Sequence, residues 1–436
     1  MALGKFEPLE LSFVESDNDD FGDGSYSIKG SNAKFMFGEV SLSRHFLFLG
    51  SPGTGKTNAM YQFVDIIKNQ ILGKNDVMII FDTKGDYLSQ FYNASKGDKI
   101  LSNDERTEKW NIFEEIKLDA ETKWDQSAYE ISQEIFDEAL KTSKESYFPI
   151  AAADLTSAVI SAMLRTAQKY GKTPNNKDLF EVLAGGNIEY IKGLISNYPK
   201  LIGAIQHIDT PHSGQTMGVM GVIRQGLTRI LTEDFLEPGN FSVRNFVKKR
   251  GGSTLFLEYD EESAKLLTPI YRLIIDMALK ESLGRKQANR GNVFFIIDEF
   301  SLLPNLYHIE DGINFGRGLG VKFIVGTQSV NQIMDSYGPD RAKSILSSFG
   351  TAIAFRLNDI DSKRIISSRY GQYSTMVIRA SPISSEPLFR TITNSEVIEP
   401  LLLSTLDDGQ AIVCISGQIP RLFQFELFKK RSMLPE

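Results

Sequence analysis

The sequence predicts an α/β fold with a mainly parallel sheet, interrupted by an all-helical insertion. Short apolar runs alternate with amphipathic stretches from about residue 44 ("HFLFLG", then "VMIIFD"). The rhythm stops near residue 116 and returns from about residue 244 with "TLFLEYD", "NVFFIIDEF", "VKFIVGTQS", "TAIAFRL" and "GQAIVCIS". Strands that are apolar at every position are covered on both faces, the usual state of a parallel sheet flanked by helices. The chain of 436 residues exceeds what one ordinary core fills, so a large domain with an insertion, or two domains, is expected.

Taking the segments in order, residues 1–33 form an acidic N-terminal segment. Seven acids and one base fall within residues 1–24, so of the net charge of −7 only −1 belongs to the remaining 412 residues. The overall charge argues against a protein that coats nucleic acid over its whole surface, and its distribution leaves room for a basic groove or channel. No uninterrupted apolar stretch reaches the ~18 residues of a membrane span. The start, "MALGKFEPLELSF", has no basic region followed by an apolar one, so no signal peptide is expected. The single cysteine, Cys414 in "AIVCI", excludes an internal disulfide and reads as a buried strand residue of a protein from a reducing interior.

Residues 116–243 read as helices. In "AAADLTSAVISAMLRTAQKYG", Leu155, Val159, Ala162 and Met163 fall at helical spacing and bury one face. After "TLFLEYD" a further helix is expected through "AKLLTPIYRLIIDMALKESLG", with Thr268 as a candidate cap and Pro269 in the first turn, where its missing N–H costs nothing.

The chemistry begins at "GSPGTGKTN", which follows the run Phe46–Leu49 and fits the phosphate-loop pattern G-x-x-x-x-G-K-[ST]. The loop Gly50, Ser51, Pro52, Gly53, Thr54, Gly55, Lys56, Thr57 and Asn58 is expected to bind a nucleoside triphosphate, its backbone N–H groups pointing at the phosphates, helped by the dipole of the helix that follows. Lys56 neutralises the phosphates and Thr57 ligates Mg²⁺. The expected fold is therefore a RecA-like P-loop NTPase, with its nucleotide-binding domain in two parts, 34–115 and 244–436.

Asp298 and Glu299 end the buried run "VFFII", at the strand edge where ligands of such sheets bind. Asp298 suits a metal-linked carboxylate and Glu299 a base that orients the attacking water, so hydrolysis of ATP is expected. Gln328 ends "VKFIVGTQ"; it is either a γ-phosphate sensor or an ordinary polar strand end. Arg317 in "NFGRGLG" is either an arginine finger for a neighbouring subunit's nucleotide or a surface arginine. "FDTKGDY" places Asp82, Lys84 and Asp86 at a second strand end without fixing a role. The histidines are scattered; His207 and His212, flanking "IDTP", read as surface residues. The basic run Lys248, Lys249 and Arg250 reads as a solvated face.

These motifs, in this order, resemble the coupling proteins of type IV secretion and bacterial conjugation, the TraG/TraD/TrwB group, hexameric ATPases related to the FtsK and HerA DNA pumps. The likeness runs from about residue 34. "FDTKGDY" is similar to the family's D-x-K-G-[DE] strand end, "EKWNIF" to its W-N-P-[LF] segment, and "IIDEFSLLPNL" to its D-E-F-x-x-L motif. "TQSVNQIMDSYG" and "DIDSKRIISSRYG" resemble its C-terminal pattern. The resemblance implies phosphate and Mg²⁺ roles for Lys56 and Thr57, hydrolytic roles for Asp298 and Glu299, nucleotide sensing by Gln328, and a finger role for Arg317.

It also implies a ring, a hexamer, that delivers relaxase-bound single-stranded DNA to a type IV secretion channel, the helical insertion receiving the substrate. Family members mostly carry two N-terminal membrane helices; this sequence has none, so a cytoplasmic protein, peripheral at the inner face of the cell membrane, is expected. "SPGTGKT" departs from the family's usual T-G-S-G-K-[ST]. Two alternatives stay open: an ATP-switched recruitment adaptor for secreted proteins that moves little DNA, and a cytoplasmic HerA-like DNA pump.

Overall fold

The computed structural model describes residues 20–31, 33–259, 264–284, 291–379 and 389–429. Residues 1–19, the greater part of the acidic segment, lie outside the described residues. In chain order the strands are β1 (Phe21–Gly22), β2 (Tyr26–Lys29), β3 (Lys34–Phe37), β4 (Phe46–Leu49), β5 (Val77–Asp82), β6 (Lys99–Leu101) and β7 (Thr254–Glu258). They continue as β8 (Val293–Ile297), β9 (Val321–Thr327), β10 (Thr351–Ala354), β11 (Gln372–Arg379), β12 (Phe389–Glu396), β13 (Gln410–Ile415) and β14 (Arg421–Gln424). The chain divides into two compact units, one made of Met1–Leu72, Phe294–Pro304 and Glu310–Glu436, the other of Gly73–Val293 and Asn305–Ile309.

In the first unit the strands run in the order β14-β13-β10-β4-β9-β8. β4 pairs in parallel with β10 on one side and β9 on the other, while β13 and β14 continue antiparallel. All residues of β4, β8, β9 and β10 are buried. The helix Lys56–Ile66 lays Ala59, Met60, Phe63 and Val64, at i, i+1, i+4 and i+5, into this core. Phe63 meets Phe35, Phe37, Phe46 and Phe48 with ring centroids 4.8–6.0 Å apart. Aromatic clusters of this kind add about 0.5–1.5 kcal/mol per pair beyond the apolar area they bury.

β4 begins from His45, a residue held in the left-handed region at φ 64°. Its imidazole is buried between Phe323 and Phe349, both edge-on to it. The Phe323 N–H donates to Nδ1 at 3.1 Å and Nε2 lies 3.0 Å from the Ile313 carbonyl oxygen. An amide N–H can only donate and a carbonyl can only accept, so the ring is neutral with its hydrogen on Nε2. Burial, with Lys322 and Arg317 nearby, holds the ring down at about 4, from 6.5, against the opposing pull of the Ile313 carbonyl.

In the second unit β5, β7 and β6 pair in parallel, in that order. From Ile112 to Lys249 the described residues form helices and turns without a strand. The helix Tyr147–Gln168 is the one described helix long and apolar enough to cross a bilayer, and it is mostly buried against its neighbours, chiefly the helices Trp124–Thr142 and Gly214–Ile230.

The unit takes strands and helices together. Polar groups tie the entry of the helical run to its exit. The fully buried Glu115 carboxylate accepts hydrogen bonds from Trp110 Nε1 (2.8 Å), Ser242 Oγ (2.7 Å), Val243 N (2.7 Å) and Arg244 N (3.0 Å). Asn176 accepts from Ile112 N and donates to the Trp110 and Phe235 carbonyls. Asn111 caps Phe113 N and donates to the Pro174 and Gly239 carbonyls. The first and last turns of the helical run are thereby tied to the same short "WN" stretch.

Two expectations fail locally. The helix after β7 starts at Ala264, so Thr268 is not its cap and Pro269 sits inside it. Thr268 Oγ1 instead lies 3.3 Å from the Tyr259 hydroxyl. His207 is buried rather than on the surface, because Asp154 Oδ2, 2.8 Å away, satisfies its Nε2 inside the helical layer.

Glu115→Ala leaves four buried donors without an acceptor, and a loss of at least about 3 kcal/mol is expected, read by urea unfolding. His45 contributes a pH dependence whose sign follows from its lowered value. Between pH 6.5 and about 4 the unfolded chain binds the proton that the folded chain refuses, so stability is complete above pH 6.5 and falls as the pH drops towards 4. The stability advantage of the native chain over His45→Asn is expected to shrink by about 3 kcal/mol across that window.

Candidate functional site

The phosphate loop leaves the C-terminal end of β4, and its shape is set by the chain on either side. Gly50 N donates to the Thr327 carbonyl (3.2 Å) and Ser51 N to the Arg356 carbonyl (3.0 Å), which fastens the start of the loop to the ends of β9 and β10. Gly53 and Gly55 adopt φ 77° and 102°, a region that costs other residues strain and glycine nothing. Thr54 Oγ1 donates to the Ser51 carbonyl at 2.8 Å, closing the loop on itself, and the Thr54 carbonyl accepts from Gly409 N at 2.9 Å. Pro52 and Gly53 form the exposed crest.

Lys56 opens the helix with its side chain buried and aimed across the sheet edge. Its Nζ donates to the Asp298 backbone carbonyl at 2.9 Å and stands 3.5 Å from Glu299 Oε2. Thr57 Oγ1 donates to Asp298 Oδ1 at 3.3 Å. Glu299 is 6% exposed, its Oε1 accepts from Ser301 Oγ at 2.8 Å, and its buried Oε2 has no hydrogen-bond partner. Four side chains from two chain segments some 240 residues apart thus converge on one point at the C-terminal strand edge.

This donor set fits a magnesium nucleotide. A hydroxyl and a carboxylate side by side are the hard oxygen ligands that Mg²⁺ takes beside substrate phosphates and water. Among the described residues no group of three or more His, Cys, Asp or Glu is arranged to hold a metal without such a substrate. The unpartnered Glu299 oxygen, next to an ammonium, is the acceptor that a positioned water would use.

The other predicted residues are placed as follows. Gln328 follows β9 at the same edge, half-buried and next to the Thr327 carbonyl that holds Gly50. The Asn58 side chain turns to the C-terminal segment, donating to the Glu426 carbonyl (3.0 Å) and accepting from Phe428 N (2.7 Å), so only its backbone is available to a phosphate. Arg317 lies in the turn Gly316–Leu319 that precedes β9, exposed, at the opposite strand edge from the loop. Seven residues of extended strand separate the two edges, about 23 Å. In the second unit, Asp82 accepts from Leu88 N (2.8 Å) and Lys84 N (3.3 Å) and so shapes the turn after β5, while Lys84 and Asp86 are exposed.

Sequence reasoning passed over the residues that hold this site in place. Gly326 in β9 is one: a Cβ there would stand 2.3 Å from the Asp298 carbonyl oxygen, the acceptor for Lys56. A glycine inside an apolar strand is the signal that betrays such a close approach. Phe300 stacks on Tyr337 at 5.1 Å, and the Tyr337 hydroxyl donates to the Leu303 carbonyl at 2.5 Å. Ser362 Oγ accepts from Val330 N at 2.9 Å. The "DEF", "SYG" and "DIDS" motifs therefore pack on one another behind the site.

With this geometry in place, residues 32–401 match the model of the type IV secretion-system coupling protein DNA-binding domain family. The chain belongs to that family. Among coupling-protein relatives, it is 22% identical over 349 residues to the coupling protein TraD of Escherichia coli (strain K12), covering 75% of this chain and 44% of TraD. It is 29% identical over 189 residues to the protein VirD4 of Rhizobium rhizogenes, covering 42% of this chain and 28% of VirD4. The chain thus spans less than half the length of these relatives. Its fold matches that of the bacterial conjugative coupling protein TrwBΔN70 in its unbound form, with a TM-score of 0.76, 21% identity and coverage of 95% of this chain and 92% of that one. It also matches TrwB in complex with ADP and Mg²⁺, with a TM-score of 0.72 at 21% identity. At that identity the likeness is one of fold, and it bears out an α/β P-loop architecture.

Gly326→Ala forces either the Asp298 carbonyl or β9 to move. A loss of about 1–3 kcal/mol is expected, read as a lowered midpoint in thermal unfolding of the unit that contains β4.

Proposed function

We propose that this protein is an ATP-hydrolysing coupling protein that assembles into a ring, a hexamer, and moves relaxase-bound single-stranded DNA towards a type IV secretion channel. The observation that carries the reading is the convergence of Lys56, Thr57, Asp298 and Glu299 at the phosphate loop, within a chain of the coupling-protein family. TrwB in complex with ADP and Mg²⁺ has the same fold, which supports ATP and Mg²⁺ as the cofactors here.

In this mechanism the phosphate-loop amides from Gly53 to Thr57 bind the phosphates. Lys56 exchanges the Asp298 carbonyl for the γ-phosphate, and its charge offsets the charge that develops on the transferred group. Thr57 and Asp298 would hold the Mg²⁺, which would supply positive charge beside the phosphates. Glu299, its Oε1 held by Ser301, orients the attacking water through the free Oε2. Gln328 reports the γ-phosphate at the end of β9.

Arg317 lies too far from its own phosphate loop to act there, so we assign it to the site of the neighbouring copy. The helical run 116–243, read as an inserted domain between 34–115 and 244–436, receives the substrate. Contacts to DNA are mainly to phosphates and weaken with salt. The protein works at the inner face of the cell membrane through partners there.

The test is ATP turnover with and without single-stranded DNA at low and moderate salt. Stimulation by DNA is expected at low salt, with Lys56→Ala and Glu299→Gln reduced at least about 100-fold, the scale of losing a preorganised group. Turnover indifferent to DNA at every salt, in an assembled ring, overturns the motor and favours an ATP-switched adaptor. Full activity in Glu299→Gln removes the base assigned here.

A further inference from the structure

We infer that His45 is the positioning residue for Arg317, clamping the turn that presents this arginine to the next copy of the chain. The inference rests on the proposed role of Arg317 and adds to it the element that aims the side chain.

The clamp is built from three observations. His45 bonds the chain on both sides of the Arg317 turn: Nε2–H donates to the Ile313 carbonyl four residues before Arg317, and Nδ1 accepts from Phe323 N six residues after it. The two backbone groups it joins lie in the short helix Ile309–Asn314 and in β9, with the turn Gly316–Leu319 between them. Second, the imidazole has no freedom to do anything else, being 1% exposed and wedged between Phe323 and Phe349. Third, the geometry requires φ 64° at a residue with a Cβ, a conformation that persists only where surrounding contacts over-determine it. A glycine would satisfy that backbone without strain, so the two hydrogen bonds of the ring account for a side chain here.

The clamp also joins two sites of one chain. His45 immediately precedes β4, and β4 runs directly into the phosphate loop. One side chain therefore bonds the chain at the start of the strand that leads into the phosphate loop and on both sides of the turn that carries Arg317.

The test separates this role from general support of the fold by using two kinds of subunit. Arg317→Ala supplies intact phosphate loops without a finger, and Lys56→Ala supplies fingers without a working loop. Mixed, they are expected to recover DNA-stimulated ATP turnover that neither shows alone. His45→Asn tolerates the backbone conformation and keeps an acceptor for Phe323 N, but its shorter side chain does not reach the Ile313 carbonyl that Nε2 meets. Placed in the Lys56→Ala subunit, it acts only through the arginine that subunit donates. Recovery is then expected to fall at least about tenfold, the scale of a misplaced catalytic group, with the KM for ATP unchanged.

Circular dichroism and gel filtration of the doubly substituted subunit, at neutral pH, confirm that it folds and enters rings. Equal recovery with and without His45→Asn overturns the assignment of His45. Full turnover by Arg317→Ala alone, or no recovery when the two single variants are mixed in assembled rings, overturns the Arg317 reading instead, and the role of His45 falls with it.

Discussion

The hydrogen bond from Lys56 Nζ to the Asp298 carbonyl organises this molecule. It joins the first turn after the phosphate loop to the end of β8, so the loop and the two acids share one frame. The contact needs Lys56 at the start of a helix, Asp298 at the end of a fully buried strand, and a neighbour without a side chain at position 326. An ammonium held by a backbone carbonyl and close to a carboxylate is poised but not locked. A carbonyl is a weaker partner than a phosphate, so the lysine can change partners without a large electrostatic penalty.

A second set of constraints governs the other unit. Helical segments inserted between strands usually dock by apolar faces, and the helix Tyr147–Gln168 does so here. The ends of the segment, however, are tied by buried polar groups: Glu115, Asn111 and Asn176 satisfy backbone groups from both the first and the last turns. Arg244 reinforces the junction through Asp119 and Glu281. Such a fully satisfied polar network specifies one arrangement of the ends, where apolar contact alone tolerates several.

Much of this was legible in the sequence because it follows from local chemistry. Uninterrupted apolar runs located β4, β5, β7, β8, β9 and β10, and the phosphate loop and "IIDEF" named the four side chains that meet at the site. The order of the strands was not legible, since nothing in "FLFL" specifies its partners at residues 321 and 351. The short β1, β2, β3 and β6 escaped for lack of length, and the pairing of β11 with β12 for lack of an apolar alternation. The burial of His207 and His45 was not legible for one reason: each finds its partner far along the chain, at Asp154 and Phe323, so its surroundings in sequence say nothing about burial. Gly326 was visible as a glycine within a strand, but its meaning depends on the carbonyl opposite.

The single cysteine has a practical consequence. Cys414 lies within β13, 1% exposed, and burial pushes its thiol up to about 12. Alkylating dyes attack the thiolate, which is scarce at neutral pH and out of reach here. A cysteine introduced at an exposed position would therefore carry a fluorophore or spin label without competition from the native one. The chain comes ready for distance measurements between labelled copies, with no background substitution required.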